Sequence, residues 1–341
     1  MWRSTVVLRR AAAATTAASP SDAAPLASFS SRVEAFCRQM QSGGAVFDCV
    51  AVRPSEGDCR GLVAKCPVRE GTTVLSVPLH HFSISSEQIL KDNAFVRDLK
   101  PPGPDEVRLL MSSRSIQDPV MYEQVYLALL IAADHLNPAS PNSDYYNLLP
   151  HPAINDEEVI RRHKDVLDPL LLVEWDDYQK EMLSVLHQLL RRWGTQAPPI
   201  QVAYWALRTV FSRMHMLPKA GQAPQEVGST LSYAALSTVD RAELQTRWWR
   251  RFRSTLSSLM GNPAAAERYH LVPTLVPLLD MAPHVSSSNV QVEVNTRDVK
   301  AGSCAELRAV RDIDAGESIG LRFNASQSPA FLLFRFGFIP Q

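Results

Sequence analysis

The pattern of apolar and polar positions changes character twice along the chain. Residues 46–53 and 73–77 are short runs rich in strand-forming side chains, and the second run ends at Pro78. Glycines punctuate this block, at Gly57, Gly61 and Gly71. Short runs bounded by glycine or proline predict β-strands.

From residue 115 to 260 the spacing becomes helical. Apolar side chains recur every two to four residues in Val120, Tyr122, Val125, Leu129 and Ala132. This spacing gives one apolar stripe on a helix. Further helices are predicted over residues 156–172, 175–193, 199–216 (with Pro199 in the first turn) and 241–260, and a loop over 217–236.

Strand-like alternation returns after residue 271. Val290, Val292 and Val294 alternate with polar residues, and so do Leu307 and Ala309. Two alternating runs joined by a short polar connection predict a β-hairpin. The whole pattern predicts an α+β protein in which a helical insertion divides the β-domain.

Composition and charge exclude some functions. The 341 residues include 35 basic and 35 acidic side chains, so no net positive charge drives nonspecific nucleic-acid binding. The longest apolar run, 125–133, ends at Asp134 and His135 and is too short to span a membrane.

The cysteines and common motifs are uninformative about a cofactor. The five cysteines include no CxxC pair, so a structural zinc site is not expected and reduced thiols are the simplest reading. The sequence contains no GxGxxG, GxxxxGK[ST], GxSxG or HExxH motif. Nucleotide-binding, hydrolase and zinc-protease sites of those types therefore have no support.

Residues 1–28 have the composition of a targeting segment. Arg3, Arg9 and Arg10 are the only charged side chains before Asp22, and Ala, Ser and Thr dominate the rest. An Arg-rich, Ser-rich segment that is poor in acidic residues predicts a mitochondrial transit peptide, and hence a matrix location. The alternative is a disordered Ala/Ser-rich tail.

Residues 247–253 read RWWRRFR and have two readings. Interleaved aromatic and basic side chains could contact RNA. The alternative is an amphipathic helix with Trp248, Trp249 and Phe252 in the core and the arginines in solvent. This alternative is favoured, because the aromatic residues are too close together to spread along a nucleic-acid strand.

A series of motifs in a fixed order is more specific than any of these features. They are EGDCRGLVA at 56–64, VREGTTVLSVP at 68–78, YNLLP at 146–150, WALRTVFSR at 205–213, PTLVPLLDMAPH at 273–284, LRAVRDIDAGESIGLRF at 307–323 and SPAFLLFRFGFIP at 328–340. Over roughly residues 45–341 the series resembles SET-domain methyltransferases of the Rubisco large-subunit methyltransferase-like class.

The resemblance implies an architecture. It is a SET fold of small curved sheets with a threaded C-terminal segment and a large helical insertion. The expected parts are a targeting segment (1–28), an N-terminal SET part (29–80), a helical insertion that carries the SR motif (81–270) and a C-terminal SET part (271–341). The family's C-terminal substrate-binding domain is expected to be absent.

The resemblance also implies a cofactor, S-adenosylmethionine (AdoMet), and residues that would hold it. Arg60, Gly61 and Leu62 would form a turn close to the cofactor, with Cys59 in place of a family glycine. Ser212 and Arg213 match the SR motif, where the arginine would bind the cofactor carboxylate; a helix-end salt bridge is the alternative for Arg213. Asp280, Pro283 and His284 match D..NH, with proline replacing the asparagine that would bind the methionine part of the cofactor.

The resemblance places Phe323 and Phe336 at the family's two tyrosine positions. Both hydroxyls are therefore missing from the expected catalytic site. Pro329 replaces a family asparagine, and Arg322 adds a cation beside Phe323, which would oppose a sulfonium ligand.

Three functional readings follow. The first is an AdoMet-dependent methyltransferase acting on a protein side chain, usually lysine, in mitochondria. The second is a catalytically lapsed SET pseudoenzyme that serves as a binding or structural subunit of a mitochondrial assembly such as the ribosome. The third is a helical interaction protein unrelated to SET.

Overall fold

The computed structural model describes residues 26–54, 60–114, 119–163, 168–218, 230–232, 271–298, 302–323 and 328–339. The α-helices are α1 Leu26–Ser42, α2 Leu79–Phe82, α3 Ser86–Asp92, α4 Ala94–Asp98, α5 Pro104–Ser113, α6 Pro119–His135, α7 Ser143–Tyr146, α8 Asp156–His163, α9 Pro169–Trp193, α10 Ile200–Arg213 and α11 Pro329–Phe336. Short 3-10 helices cover Gly194–Gln196 and Leu279–Met281. The strands are β1 Val50–Pro54, β2 Arg60–Ala64, β3 Thr73–Pro78, β4 His215–Pro218, β5 Thr230–Ser232, β6 Leu271–Thr274, β7 Val290–Asp298, β8 Gly302–Ala309 and β9 Ser318–Ile319.

The strands form small antiparallel sheets. Their orders are β1-β2-β9, β3-β8-β7-β5 and β4-β6. Strands β2 and β3 from the first part of the chain pair with β9 and β8 from the last part. The strand-forming ends of the described chain are thus joined, with most of the helices between them in sequence.

The predicted C-terminal hairpin is confirmed. Strand β7 pairs with β8 in the register Val290↔Ala309, Val292↔Leu307 and Val294↔Ala305. These side chains are buried, as the period-two alternation requires of one sheet face.

Helix α6 is more deeply buried than a single apolar stripe would allow. Every residue from 127 to 133 is apolar and fully buried, whereas Val120 and Tyr122 are only half-buried. A helix that is apolar all round lies inside the core, and α6 packs against α10 on one side and α5 on another.

Several predicted boundaries are wrong. The helix predicted over 156–172 is divided: α8 ends at His163, and α9 begins at Pro169 with the Asp168 carboxylate capping Leu170 N–H. Helix α10 ends at Arg213, because residues 215–218 pair with β6 instead. The loop predicted over 217–236 includes the end of β4 and all of β5. The predicted helix 241–260 and the stretch 247–253 lie outside the described residues.

Two cysteines form a disulfide, which corrects the expectation of reduced thiols. Cys49 directly precedes β1 and Cys66 follows β2, and their Cα atoms are 5.6 Å apart. Pairing of Val50 with Ala64 brings the two cysteines together, a proximity that their spacing in sequence does not reveal. Among the described residues, Cys37 and Cys304 take no part in a disulfide.

Helix α11 is fixed to the core by a buried arginine. Arg208 of α10 lies 4.5 Å from the centroid of the Phe334 ring, and its Nη2 donates to Asp156 Oδ1 at 2.8 Å. The Arg335 Nε also donates to the Phe211 carbonyl at 2.6 Å. These contacts set the position of Phe336 at the end of α11.

No helix in the described part of the chain is both long enough and apolar enough to cross a membrane.

Candidate functional site

Asp280 is the buried centre of the site. It lies in the middle of the 3-10 helix Leu279–Met281, and that helix follows Leu278, whose backbone adopts φ +69°. This conformation is costly for a non-glycine residue and persists only where the surrounding packing imposes it. The backbone before Asp280 is therefore held in a specific, strained geometry.

Arg213 of the SR motif pairs with Asp280. Its Nη1 lies 3.2 Å from both the Oδ2 and the carbonyl oxygen of Asp280. The salt bridge that the sequence left open for Arg213 is thus present. The remaining N–H groups of Arg213 have no hydrogen-bond partner among the described residues, so the guanidinium keeps donors for a ligand.

The Asp280 carboxylate is only partly satisfied. Tyr145 donates its hydroxyl to Oδ2 at 2.7 Å, while Oδ1 is buried and has no partner in the described part of the chain. Burial raises the pKa of Asp280, and Arg213 and the Tyr145 hydrogen bond oppose that rise. A buried acceptor without a donor is costly and is the kind of atom that a bound cation would satisfy.

Ser212 has a local role in this structure. Its hydroxyl donates to the carbonyl of Arg208 at 2.8 Å, one turn back in α10. Such a bond uses the side chain within its own helix.

Pro283 and His284 pair with the segment that leads to Phe323. Leu321 N–H donates to the Pro283 carbonyl at 2.9 Å, and Val285 N–H donates to the Leu321 carbonyl at 3.0 Å. His284 Nδ1 accepts from Phe323 N–H at 3.0 Å. Burial, helped by the exposed Arg322 cation, lowers the pKa of His284, which favours the neutral ring that this hydrogen bond requires.

The two phenylalanines that the resemblance places at family tyrosine positions lie side by side. The Phe323 and Phe336 rings have centroids 5.0 Å apart, and Phe338 lies 5.9 Å from Phe336. His284 lies 5.3 Å from Phe323 and 5.5 Å from Phe338. We call these four side chains the aromatic cluster; they are half-buried, and none of them carries a hydroxyl.

The expected turn at Arg60, Gly61 and Leu62 is wrong, because these residues belong to strand β2. Leu62 pairs with Ile319 of β9 and is fully buried. A Cβ built on Gly61 would meet no described residue within 4 Å, so the described residues leave space beside this backbone. Cys59 lies outside the described residues, as does the side chain of Arg60.

Asn289 holds β9 beside this region. Its side-chain amide donates to the Ser318 carbonyl at 2.7 Å and accepts from Gly320 N–H at 2.9 Å. A Cβ on Gly320 would collide with the Val285 side chain, so the two segments cross at close range.

Pro329 has a structural explanation. It occupies the first turn of α11, where proline is favoured, and Ser328 caps the helix by accepting from Phe331 N–H at 3.3 Å. At the position where the resemblance implies an asparagine, this chain therefore has a proline that begins a helix.

Sequence reasoning missed three contributors. Tyr145 contacts Asp280, Phe338 completes the aromatic cluster, and Asn289 clamps β9. The only available signals were the tyrosine doublet before NLLP and the repeated phenylalanines of FRFGF. Neither pattern indicates its tertiary partner.

Among the described residues, no three or more His, Cys, Asp or Glu side chains are placed to hold a metal ion together.

Solved structures of a known methyltransferase share this fold. Crystal structures of the SET domain of LSMT bound to lysine and AdoHcy and to methyl-lysine and AdoHcy both superpose with a TM-score of 0.53. Their identities to this chain are 14% and 15%, and the matches cover 91% and 90% of it. The structure of Rubisco LSMT bound to AdoMet gives a TM-score of 0.50 at 14% identity, over 90% of this chain.

The likeness identifies the fold. The protein has a SET-like fold, built of small antiparallel sheets and helices. The chain spans just over half the length of these structures, at 57% and 56% of theirs. No protein-family model and no curated protein sequence matches the chain.

Proposed function

We propose that this protein is an AdoMet-binding methyltransferase of the SET type that acts in mitochondria on a protein side chain, lysine by the family resemblance. The proposal is supported mainly by one observation. Residues from separate motifs meet in space: Arg213 contacts Asp280, 67 residues away, and Phe323 contacts His284, 39 residues away, and Phe336 of the last motif. These are the positions at which the resemblance expects the cofactor and the methyl acceptor.

The polar end of the site fits the amino-acid part of AdoMet. With respect to the described residues, Arg213 has unused donors for a carboxylate, and Asp280 has a buried, unused acceptor for an ammonium group. An α-amino acid presents both charges side by side. Arg213 and Asp280 would hold this end, and the space beside Gly61 and the backbone of Pro283 and His284 would take the rest.

The apolar end suits a desolvated acceptor. When bound, AdoMet supplies a methyl group on a sulfonium. The aromatic cluster would exclude water from the acceptor amine, and its ring faces would attract a cation. Because none of its four side chains is a phenol, the cluster cannot orient the amine by a hydroxyl hydrogen bond of its own.

This missing hydroxyl favours a second candidate function. A SET pseudoenzyme would keep the fold and the AdoMet site while serving as a binding subunit of a mitochondrial complex such as the ribosome. The two candidates share the cofactor site and differ in methyl transfer.

The first experiment is calorimetric titration of AdoMet into the full chain, with AdoHcy as a second ligand. Wild-type protein should bind, and Asp280→Asn should bind about 10- to 100-fold more weakly, since it alters a hydrogen bond to a charged group. Asp134→Asn is the matched control, because Asp134 is equally buried and accepts from Asn93, Asn142 and Tyr146 away from the site. Failure of a folded wild-type sample to bind millimolar AdoMet would refute the proposal.

A transfer assay then separates the two candidates. Labelled AdoMet and mitochondrial extract should give a labelled protein band that wild-type enzyme produces and Asp280→Asn does not. Binding without transfer would instead assign the protein to the pseudoenzyme class.

A further inference from the structure

Tyr145 connects α7 to the candidate cofactor site over a long stretch of sequence. Its hydroxyl donates to Asp280 Oδ2 at 2.7 Å across 135 residues, and the side chain is 1% exposed. Neither the motif series nor the family resemblance assigns this residue a role.

The hydrogen bond determines which oxygen of Asp280 remains available. Both Tyr145 and Arg213 donate to Oδ2, so the carboxylate is held by two donors on one oxygen. Oδ1 is left buried without a partner among the described residues. Without the Tyr145 hydroxyl, the carboxylate could rotate and give Arg213 either oxygen.

We infer that Tyr145 is a positioning residue, which orients the Asp280 carboxylate so that Oδ1 accepts the ammonium group of the cofactor. The inference rests on the proposed function, since it concerns affinity for AdoMet. It assigns Tyr145 no direct contact with the ligand.

The charge state of Asp280 supports the same role. Burial raises the pKa of Asp280, and the charged or titratable groups that oppose this rise are Arg213 from α10 and Tyr145 from α7. Removing the hydroxyl raises the pKa further and weakens the anion that an ammonium requires. Binding by a variant without this hydroxyl should therefore fall off at a higher pH than binding by wild-type protein.

The ring of Tyr145 can be kept while its hydroxyl is removed. The ring packs 6.2 Å from Phe36 and lines a cleft of about 160 Å³ between α1, α3 and α7. Phenylalanine at position 145 preserves this packing.

The adjacent Tyr146 is the matched control. It is also fully buried, and its hydroxyl also donates at 2.7 Å to an aspartate, but that aspartate is Asp134. Tyr146→Phe therefore removes an equivalent bond outside the site. Any general loss from deleting a buried hydroxyl appears in both variants.

The test is AdoMet titration of full-length wild type, Tyr145→Phe and Tyr146→Phe between pH 5.5 and 8, with folding monitored by circular dichroism. We expect Tyr145→Phe to bind AdoMet about tenfold more weakly than wild type at pH 7. When the pH is lowered, the variant should begin to lose affinity at a higher pH than wild type does. Tyr146→Phe should bind within twofold of wild type with an unchanged pH profile.

Failure of the positioning role and failure of the proposed function give different results. If wild type binds and Tyr145→Phe matches it, or if Tyr146→Phe loses as much, the positioning role is wrong while the proposed function stands. If folded wild type does not bind AdoMet, the proposed function fails and this inference fails with it. A Tyr145→Phe/Asp280→Asn double variant should bind no more weakly than Asp280→Asn, and an additive loss would also overturn the inference.

Discussion

Under the proposed function, Phe323 occupies the position where a single hydroxyl would affect methyl transfer most. Its ring is 5.0 Å from Phe336 and 5.3 Å from His284, and its backbone N–H is already fixed by His284 Nδ1. The backbone geometry at this position is therefore set independently of the missing phenol. Replacing Phe323 by tyrosine adds one oxygen atom to this ring and leaves the rest of the side chain the same.

Phe323→Tyr should raise the rate of methyl transfer by about 10²- to 10³-fold, the usual effect of one positioned hydrogen-bonding group. The measurement is incorporation of label from AdoMet into the band found in mitochondrial extract. Phe338→Tyr is the control, because it adds a hydroxyl to the same cluster at a position with no tyrosine in the family pattern. Equal gains from both variants, or no gain from Phe323→Tyr, would contradict this role.

His215 should make the stability of the protein depend on pH. It is buried in β4 opposite Thr274, and burial, with the nearby Arg335 cation, lowers its pKa to about 4. The unfolded chain binds a proton near pH 6.5 but the folded protein does so only near pH 4. The free energy of unfolding should therefore be constant above pH 6.5 with respect to this group and fall by about 3 kcal/mol as the pH drops to 4.

Urea unfolding of wild type and His215→Gln at pH 7.5, 6, 5 and 4 measures this dependence. The difference between the two proteins should shrink as the pH falls, since glutamine does not titrate. A constant difference would show that His215 does not cause the dependence.

At the scale of elements, Gly337 ends α11 where the chain turns toward the aromatic cluster. Its φ is +75°, and a Cβ there would lie 2.9 Å from Ile154 Cγ2 and 3.2 Å from Val159 Cγ2. Gly71 has a similar φ of +79°, yet its Cβ would meet nothing within 4 Å. Comparing alanine substitutions at the two glycines therefore separates the cost of a positive φ from the cost of a side-chain collision.

Gly71→Ala should lower the free energy of unfolding by about 1 kcal/mol, the cost of a left-handed alanine. Gly337→Ala should lower it by about 2–3 kcal/mol, because overpacking adds to the same strain. Urea denaturation measures both values, and equal losses would argue against a collision with Ile154 and Val159.

Elements with a strong local pattern were predictable, and those defined by a distant partner were not. The β7–β8 hairpin follows from alternation within twenty residues. The resemblance implies a turn at residues 60–62, whereas these residues belong to strand β2, whose pairing with β1 and β9 decides its conformation. Strand β4 likewise depends on β6, more than fifty residues away.

At the scale of the whole molecule, the disulfide bears on location. Cys49–Cys66 closes the β1–β2 hairpin that carries Gly61 and Leu62. Disulfides persist in oxidising compartments, whereas residues 1–28 have a transit-peptide composition. The proposed mitochondrial location therefore needs its own test.

The chain should enter isolated mitochondria and lose a segment of about 3 kDa, as expected for removal of a transit peptide of this composition. Replacement of Arg3, Arg9 and Arg10 by glutamine should abolish import, because it removes the positive charge of the segment. Replacement of three exposed arginines elsewhere, Arg38, Arg108 and Arg191, is the control and should leave import intact. Import of the first variant at the wild-type rate would refute the targeting role.

The amino-acid sequence by itself determined the order of strand-forming and helix-forming segments and the motif series that pointed to a SET-like fold. Both are readable because periodicity and motif spacing are local properties of a chain. Only the tertiary structure decided that Tyr145 and Arg213 share one oxygen of Asp280, and that Cys49 pairs with Cys66. Such contacts join residues whose separation in sequence carries no signal, and packing of the whole core selects them.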